Sequence, residues 1–202
     1  MGNVQREKPA HSYSGDKWIT NKTNKKHLKK DFHSRCAYCD DLDFYHGGEK
    51  AFHVDHFAPK EKFPALIHRY ENLLYVCPYC NQAKSDKWPS TSPDENIVGD
   101  EGFANPCFSE YDDHLSRCSD GSIASKSSLG DYMVRNLKLY LKRHQVFYKI
   151  EQIEQKRETI KEMIKQRSET GGDISNLEAA LSALEADFFT YYNIWRNLDA
   201  TD

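Results

Sequence analysis

Apolar residues fall in short bursts over the first 130 residues of this chain and recur at helical spacing beyond them. Leu28 and Phe32 lie four apart among Lys25, Lys26, Lys29 and Lys30, which predicts a short basic helix from about Thr23 to Ser34. The stretch 51–57 (Ala-Phe-His-Val-Asp-His-Phe) alternates with a period of two and predicts a strand, interrupted by Pro59 and Pro64. A helical turn is expected from Pro64 to Tyr70, and Leu73 to Val76 is a second short apolar strand. Asn81 to Lys87 predicts a short helix that must stop before Pro89. Residues 90–130, rich in Ser, Pro, Gly and Asp, read as loops with a hairpin near Asp120-Gly121.

The remainder differs in kind. Met133, Leu137, Tyr140, Phe147, Ile150, Ile153, Ile160 and Ile164 recur at three, four or seven residues, with a polar gap at His144 and Arg157. Leu177, Leu181, Leu184, Phe188, Tyr191 and Trp195 form a second run after Gly171-Gly172. Two amphipathic helices joined by a tight glycine turn predict an antiparallel hairpin.

A chain of 202 residues has room for one ordinary domain, or a small domain plus an appendage. With 38% hydrophobic residues it can build a core, which excludes wholesale disorder. Apolar runs never exceed four or five residues, which excludes a spanning helix, and no secretory h-region is visible at the N-terminus. A soluble cytoplasmic protein is the expectation. The net charge of −3 hides an asymmetry. Residues 1–90 carry 15 Lys/Arg against 11 Asp/Glu, whereas residues 91–202 carry 13 against 20. The first half can meet a polyanion that the second half repels.

Four of the six cysteines form two Cys-x-x-Cys pairs, Cys36/Cys39 and Cys77/Cys80. Without an export signal, paired thiols point to metal rather than to disulfides. Four thiolates match the tetrahedral sulfur preference of Zn²⁺, and a thioredoxin-like site would need one pair in a βαβ setting. Cys107 and Cys118, with His114 between them, supply only three ligands and read as buried free thiols.

Between the pairs lie His53-Val54-Asp55-His56 and Asn72-Leu73, and Asn81-x-x-Lys84 follows the last cysteine directly. In this order and spacing the motif resembles the zinc-stabilised HNH endonucleases. The phrasing of residues 56–60 and 72–84 resembles the branch encoded beside retrons and in Septu-type anti-phage systems. The resemblance implies an α+β fold: a ββα-metal HNH nuclease core with a structural zinc held by the four cysteines, then a C-terminal antiparallel helical hairpin. The corresponding division is a polar and basic arm over 1–24, a nuclease domain over 25–125 and the hairpin over 131–202.

Phosphodiester hydrolysis needs a cation for the leaving oxygen and a base for water. Asp55 offers a carboxylate and Asn81 an amide oxygen, the hard donors that Mg²⁺ or Mn²⁺ takes. His56 would be the general base by resemblance, although strict strand alternation turns it away from Asp55. Asn72, by resemblance, hydrogen-bonds the loop between the strands and orients that histidine. Lys84, with Lys26, Lys29 and Lys30 of the basic run, is expected to contact phosphate. His53 shares the side-chain direction of Asp55 and reads as a packing residue or an extra ligand, and Asn81 has the plainer reading of a helix N-cap. The resemblance further implies nucleic acid as substrate, DNA favoured, and an ATPase partner subunit. Two readings compete with the nuclease. One is a non-catalytic zinc-binding module that docks nucleic acid or protein, and the other is an interaction subunit that works through its hairpin.

Overall fold

The computed structural model describes residues 2–13 and 21–199. Residues 14–20 of the expected arm lie outside the described residues. The chain forms two compact units, one ending at Tyr140 and one beginning at Leu141.

The first unit opens with a packed segment rather than a free polar arm. Gly2 pairs with Arg117 in a β-bridge, Val4 is fully buried, and the Gln5 side-chain amide donates to the Ala37 carbonyl at 2.7 Å. Helix α1 (Asn21–Asp31) starts and ends two to three residues earlier than its apolar spacing predicts. It turns Leu28 inward, and the chain just beyond it buries Phe32. Strand β1 (His53–His56) pairs antiparallel with β2 (Leu73–Val76), placing Asp55 opposite Leu74 and His56 opposite Leu73. All four residues of β2 are buried, so this ladder is the floor of the unit. Helix α1 packs on both strands.

Helix α2 (Pro78–Lys84) begins three residues before the predicted Asn81. Proline suits the first helical position, because the amide it lacks would have no partner there. Cys77 caps the helix, its sulfur accepting from the Cys80 N–H at 3.4 Å. Asn81 is therefore a mid-helix residue and not an N-cap.

Residues 90–130 hold more structure than loops. Two short ladders form, β3 (Ile97–Val98) with β4 (Glu101–Gly102) and β5 (Leu115–Arg117) with β6 (Ile123–Ser125). The second is the hairpin expected near Asp120-Gly121, with Gly121 at a φ of 90°. Helix α3 (Glu110–His114) precedes it and α4 (Ser128–Asn136) follows it. Leu129, Met133, Leu137 and Leu139 are buried in the first unit's core, so the start of the long apolar run belongs to this unit. Helical periodicity alone carries no signal for that division. A Cβ at Gly130 would lie 2.1 Å from the His114 carbonyl oxygen. Gly130→Ala is expected to destabilise the unit by about 1–3 kcal/mol, read as a lower urea midpoint at unchanged slope.

The second unit is the helical pair α5 (Lys142–Glu169) and α6 (Ser175–Arg196). Phe147 meets Trp195 edge-on at 5.7 Å, and Arg157 pairs with Glu185 at 3.5 Å. Numbers rise along one helix as they fall along the other, so the helices are antiparallel as the pattern predicts. Gly171 takes the left-handed conformation at φ 71°, and the Gly172 amide closes the turn on the Arg167 carbonyl at 2.9 Å.

Candidate active site

The four paired cysteines converge. Their sulfurs all lie within 4.8 Å of one another, and each residue is at most 1% exposed. A tetrahedron with Zn–S bonds of about 2.3 Å sets its sulfurs about 3.8 Å apart. The Cys39 and Cys77 sulfurs stand at 3.8 Å. Burial pushes the Cys39, Cys77 and Cys80 thiols up, while hydrogen bonds from those three outweigh burial at Cys36 and hold it down, so all four are thiolates together only with a cation among them. The cluster fits a structural metal such as zinc. It also joins distant parts of the chain, since the first pair lies in the loop after α1 and the second opens α2.

Beside the cluster lies an open cleft of about 420 Å³ lined by Asp55, His56 and Asn81, with Lys60, Glu61 and Asp86 at its wall. Asp55 and His56 both reach it although they are neighbours on β1, a departure from the strict alternation expected there. The strand ends at His56 and the chain is bent by Asn72. The Asn72 carbonyl accepts from the Phe57 N–H at 2.8 Å. Its side chain accepts from the Ala58 N–H at 2.8 Å and donates to the Ala58 carbonyl at 3.0 Å. Three hydrogen bonds thus fix the two residues that follow His56.

His56 Nε2 lies 3.1 Å from the Ile67 carbonyl oxygen. A carbonyl only accepts, so Nε2 carries the hydrogen and Nδ1 of the neutral ring is the free lone pair. Burial pulls the imidazole below its usual range, against the Ile67 carbonyl and the Asp55 carboxylate. The ring is therefore neutral at pH 7. Burial pushes the Asp55 carboxyl up, while the Lys84 ammonium and the Tyr38 hydroxyl oppose it.

Lys84 is a correction to the expectation of phosphate contact. It is fully buried, its ammonium 3.4 Å from Asp55 Oδ2 and donating to the His56 carbonyl at 3.0 Å. One helical turn beyond Asn81 points inward here, because α2 packs on β1. On α1, Lys26 and Lys30 are exposed, whereas Lys29 is tied to Asp43 at 2.8 Å. His53 is exposed and is absent from the cleft wall, and partial desolvation, then the Lys25 charge, lowers its pKa against the Asp55 carboxylate. Cys107 and Cys118 are only half-buried, and among the described residues no metal-binding group includes them. His114 instead hydrogen-bonds Ser127 at 2.7 Å. Tyr38, whose hydroxyl donates to Asp55 Oδ2 at 2.9 Å, escaped the sequence reading. Its only signal there is its place inside the first Cys-x-x-Cys pair.

Residues 36–87 match the family model described as HNH endonuclease, a span that includes both cysteine pairs, β1, β2, α2 and the cleft residues. The chain is also similar to the Septu protein PtuA of Bacillus mycoides (strain KBAB4). The two are 27% identical over 139 residues, which cover 56% of this chain and 18% of that protein. The chain thus spans less than a fifth of the length of that relative. No solved structure matches it. Among the described residues no helix is long and apolar enough to cross a membrane. With its ββα unit, its buried four-cysteine cluster and a C-terminal helical pair beyond, the chain carries an HNH endonuclease domain at residues 36–87.

Proposed function

We propose that this chain is a divalent-cation-dependent endonuclease that hydrolyses nucleic-acid phosphodiester bonds, with DNA the favoured substrate. The observation that carries the reading is the convergence of Asp55, His56 and Asn81 on one solvent-open cleft beside the cysteine cluster. Cys36, Cys39, Cys77 and Cys80 hold Zn²⁺ and keep the cleft's elements in register. Asp55 and Asn81 are the residues that would hold Mg²⁺ or Mn²⁺. Their donors are a carboxylate and an amide oxygen in a cleft that water reaches, which suits a hard ion that keeps several waters. When bound, that ion neutralises charge developing on the phosphate oxygens.

His56 is the base. Its Nε2–H is committed to Ile67, so Nδ1 receives the proton of the attacking water. Asn72 fixes the turn that aims the ring. The exposed Lys26 and Lys30 of α1 contact the phosphate backbone and give affinity without base selectivity. The relative is named a Septu protein, in keeping with the Septu-type resemblance of the sequence. On that resemblance the chain is the nuclease of an anti-phage defence complex, with an ATPase subunit as partner.

The test is cleavage of supercoiled plasmid by the purified chain in Mg²⁺ or Mn²⁺, with nicking that EDTA stops. A zinc-loaded protein that binds DNA but never nicks it would favour a non-catalytic module instead. The pH profile is a second check. His56 works only when neutral, and burial holds its pKa below the ordinary 6.5. The neutral ring predominates at pH 7, and activity falls as the pH drops through that lowered value. An acid limb of kcat/KM centred above pH 7 would contradict this assignment.

A further inference from the structure

Asp55 is held by two donors, and both fall on the same oxygen. The Tyr38 hydroxyl donates to Oδ2 at 2.9 Å, and the Lys84 ammonium stands 3.4 Å from that atom. Among the described residues Oδ1 receives no hydrogen bond, and Asp55 lines the cleft. We infer that Tyr38 is a positioning residue: together with Lys84 it captures Oδ2 and so presents Oδ1 to the cation site. The inference rests on the nuclease reading and deepens it.

Tyr38 is suited to this task by where it sits. It lies between Cys36 and Cys39 and is fully buried. Its own carbonyl accepts from the Tyr111 hydroxyl at 2.7 Å, and the neighbouring Cys39 carbonyl accepts from Arg117 at 2.6 Å. The Ala37 amide in turn donates to the Tyr75 carbonyl at 2.8 Å, which ties the knuckle to β2. The backbone beneath the phenol is thus anchored on α3, β5 and β2 as well as on the cysteine cluster. Only then does one hydroxyl fix a carboxylate rotamer. Lys84 extends the same control to the base, since its ammonium also donates to the His56 carbonyl at 3.0 Å. The cysteine cluster is therefore wired to the reacting groups through a side chain, beyond its role in holding the fold.

Tyr38→Phe tests this in the full chain, because phenylalanine keeps the ring and removes only the donor. Three quantities are read: melting temperature with zinc content, Mn²⁺ binding followed by the EPR signal of free Mn²⁺, and nicking resolved into kcat and KM. Asp55→Asn identifies which Mn²⁺ binding belongs to the cleft. Melting and zinc are expected to stay near wild type. Cleft Mn²⁺ affinity weakens about tenfold and kcat falls about tenfold or more, with KM for DNA unchanged. Lys84→Met removes the second donor and is expected to shift the same two quantities. Mn²⁺ affinity and kcat within twofold of wild type in Tyr38→Phe would overturn the inference. So would loss of zinc or early melting, because the hydroxyl would then act on the fold. A wild type that binds Mn²⁺ through Asp55 yet cleaves nothing refutes the nuclease reading alone, and the Mn²⁺ comparison still decides on Tyr38. A wild type with no Asp55-dependent Mn²⁺ binding overturns the inference itself.

Discussion

His56→Ala is expected to lower the cleavage rate by about 10²–10⁴, the usual contribution of a positioned general base. The loss belongs in kcat. His56 lies on the cleft wall and its side chain hydrogen-bonds the Ile67 carbonyl, so its removal leaves the exposed lysines of α1, proposed to contact phosphate, untouched. KM for plasmid should hardly move. The fold should also hold, because what Lys84 grips at residue 56 is the backbone carbonyl, which alanine retains. A His56→Ala protein that nicks at the wild-type rate with the same metal dependence would remove His56 from the mechanism.

Loss of a metal-binding cysteine should act on the whole first unit. Apparent binding energies of structural zinc are about 10–16 kcal/mol, while a folded domain is stable by only about 5–15 kcal/mol. A zinc ion held by the cluster would therefore contribute as much as the stability that it supports. Cys77 has a second role as N-cap of α2, the helix that carries Asn81 and Lys84. Cys77→Ala is expected to lose zinc, to melt the first unit at room temperature and to abolish cleavage. Strong chelation of the wild type should do the same. Circular dichroism together with a zinc-to-protein ratio reads both. A Cys77→Ala protein with wild-type melting would show that the cluster is dispensable.

The sequence carried much of this architecture because its motifs are local. The cysteine pairs, β2 at Leu73–Val76 and the antiparallel helical pair were legible from spacing and periodicity. What escaped depends on burial. Nothing in Asn81-x-x-Lys84 says that the lysine turns inward, since that follows from how α2 packs on β1. Strict alternation separated Asp55 from His56, and only the three hydrogen bonds of Asn72 explain how both reach one cleft. Nothing in the Cys-x-x-Cys spacing marks Tyr38 as the residue whose hydroxyl reaches Asp55. Met133 and Leu137 fit the helical period of α5, yet they are buried in the other unit. Period reports which residues share a face and is silent on what that face meets.

Asp55, His56 and Asn81 are proposed to form a cation-dependent phosphodiesterase site. Its most direct test is nicking of supercoiled plasmid in Mn²⁺ by zinc-loaded wild type beside Asp55→Asn. Nicking by the wild type is expected, with loss of at least about tenfold in the variant and equal DNA binding by both. A folded, zinc-loaded variant that nicks as fast as the wild type would contradict it.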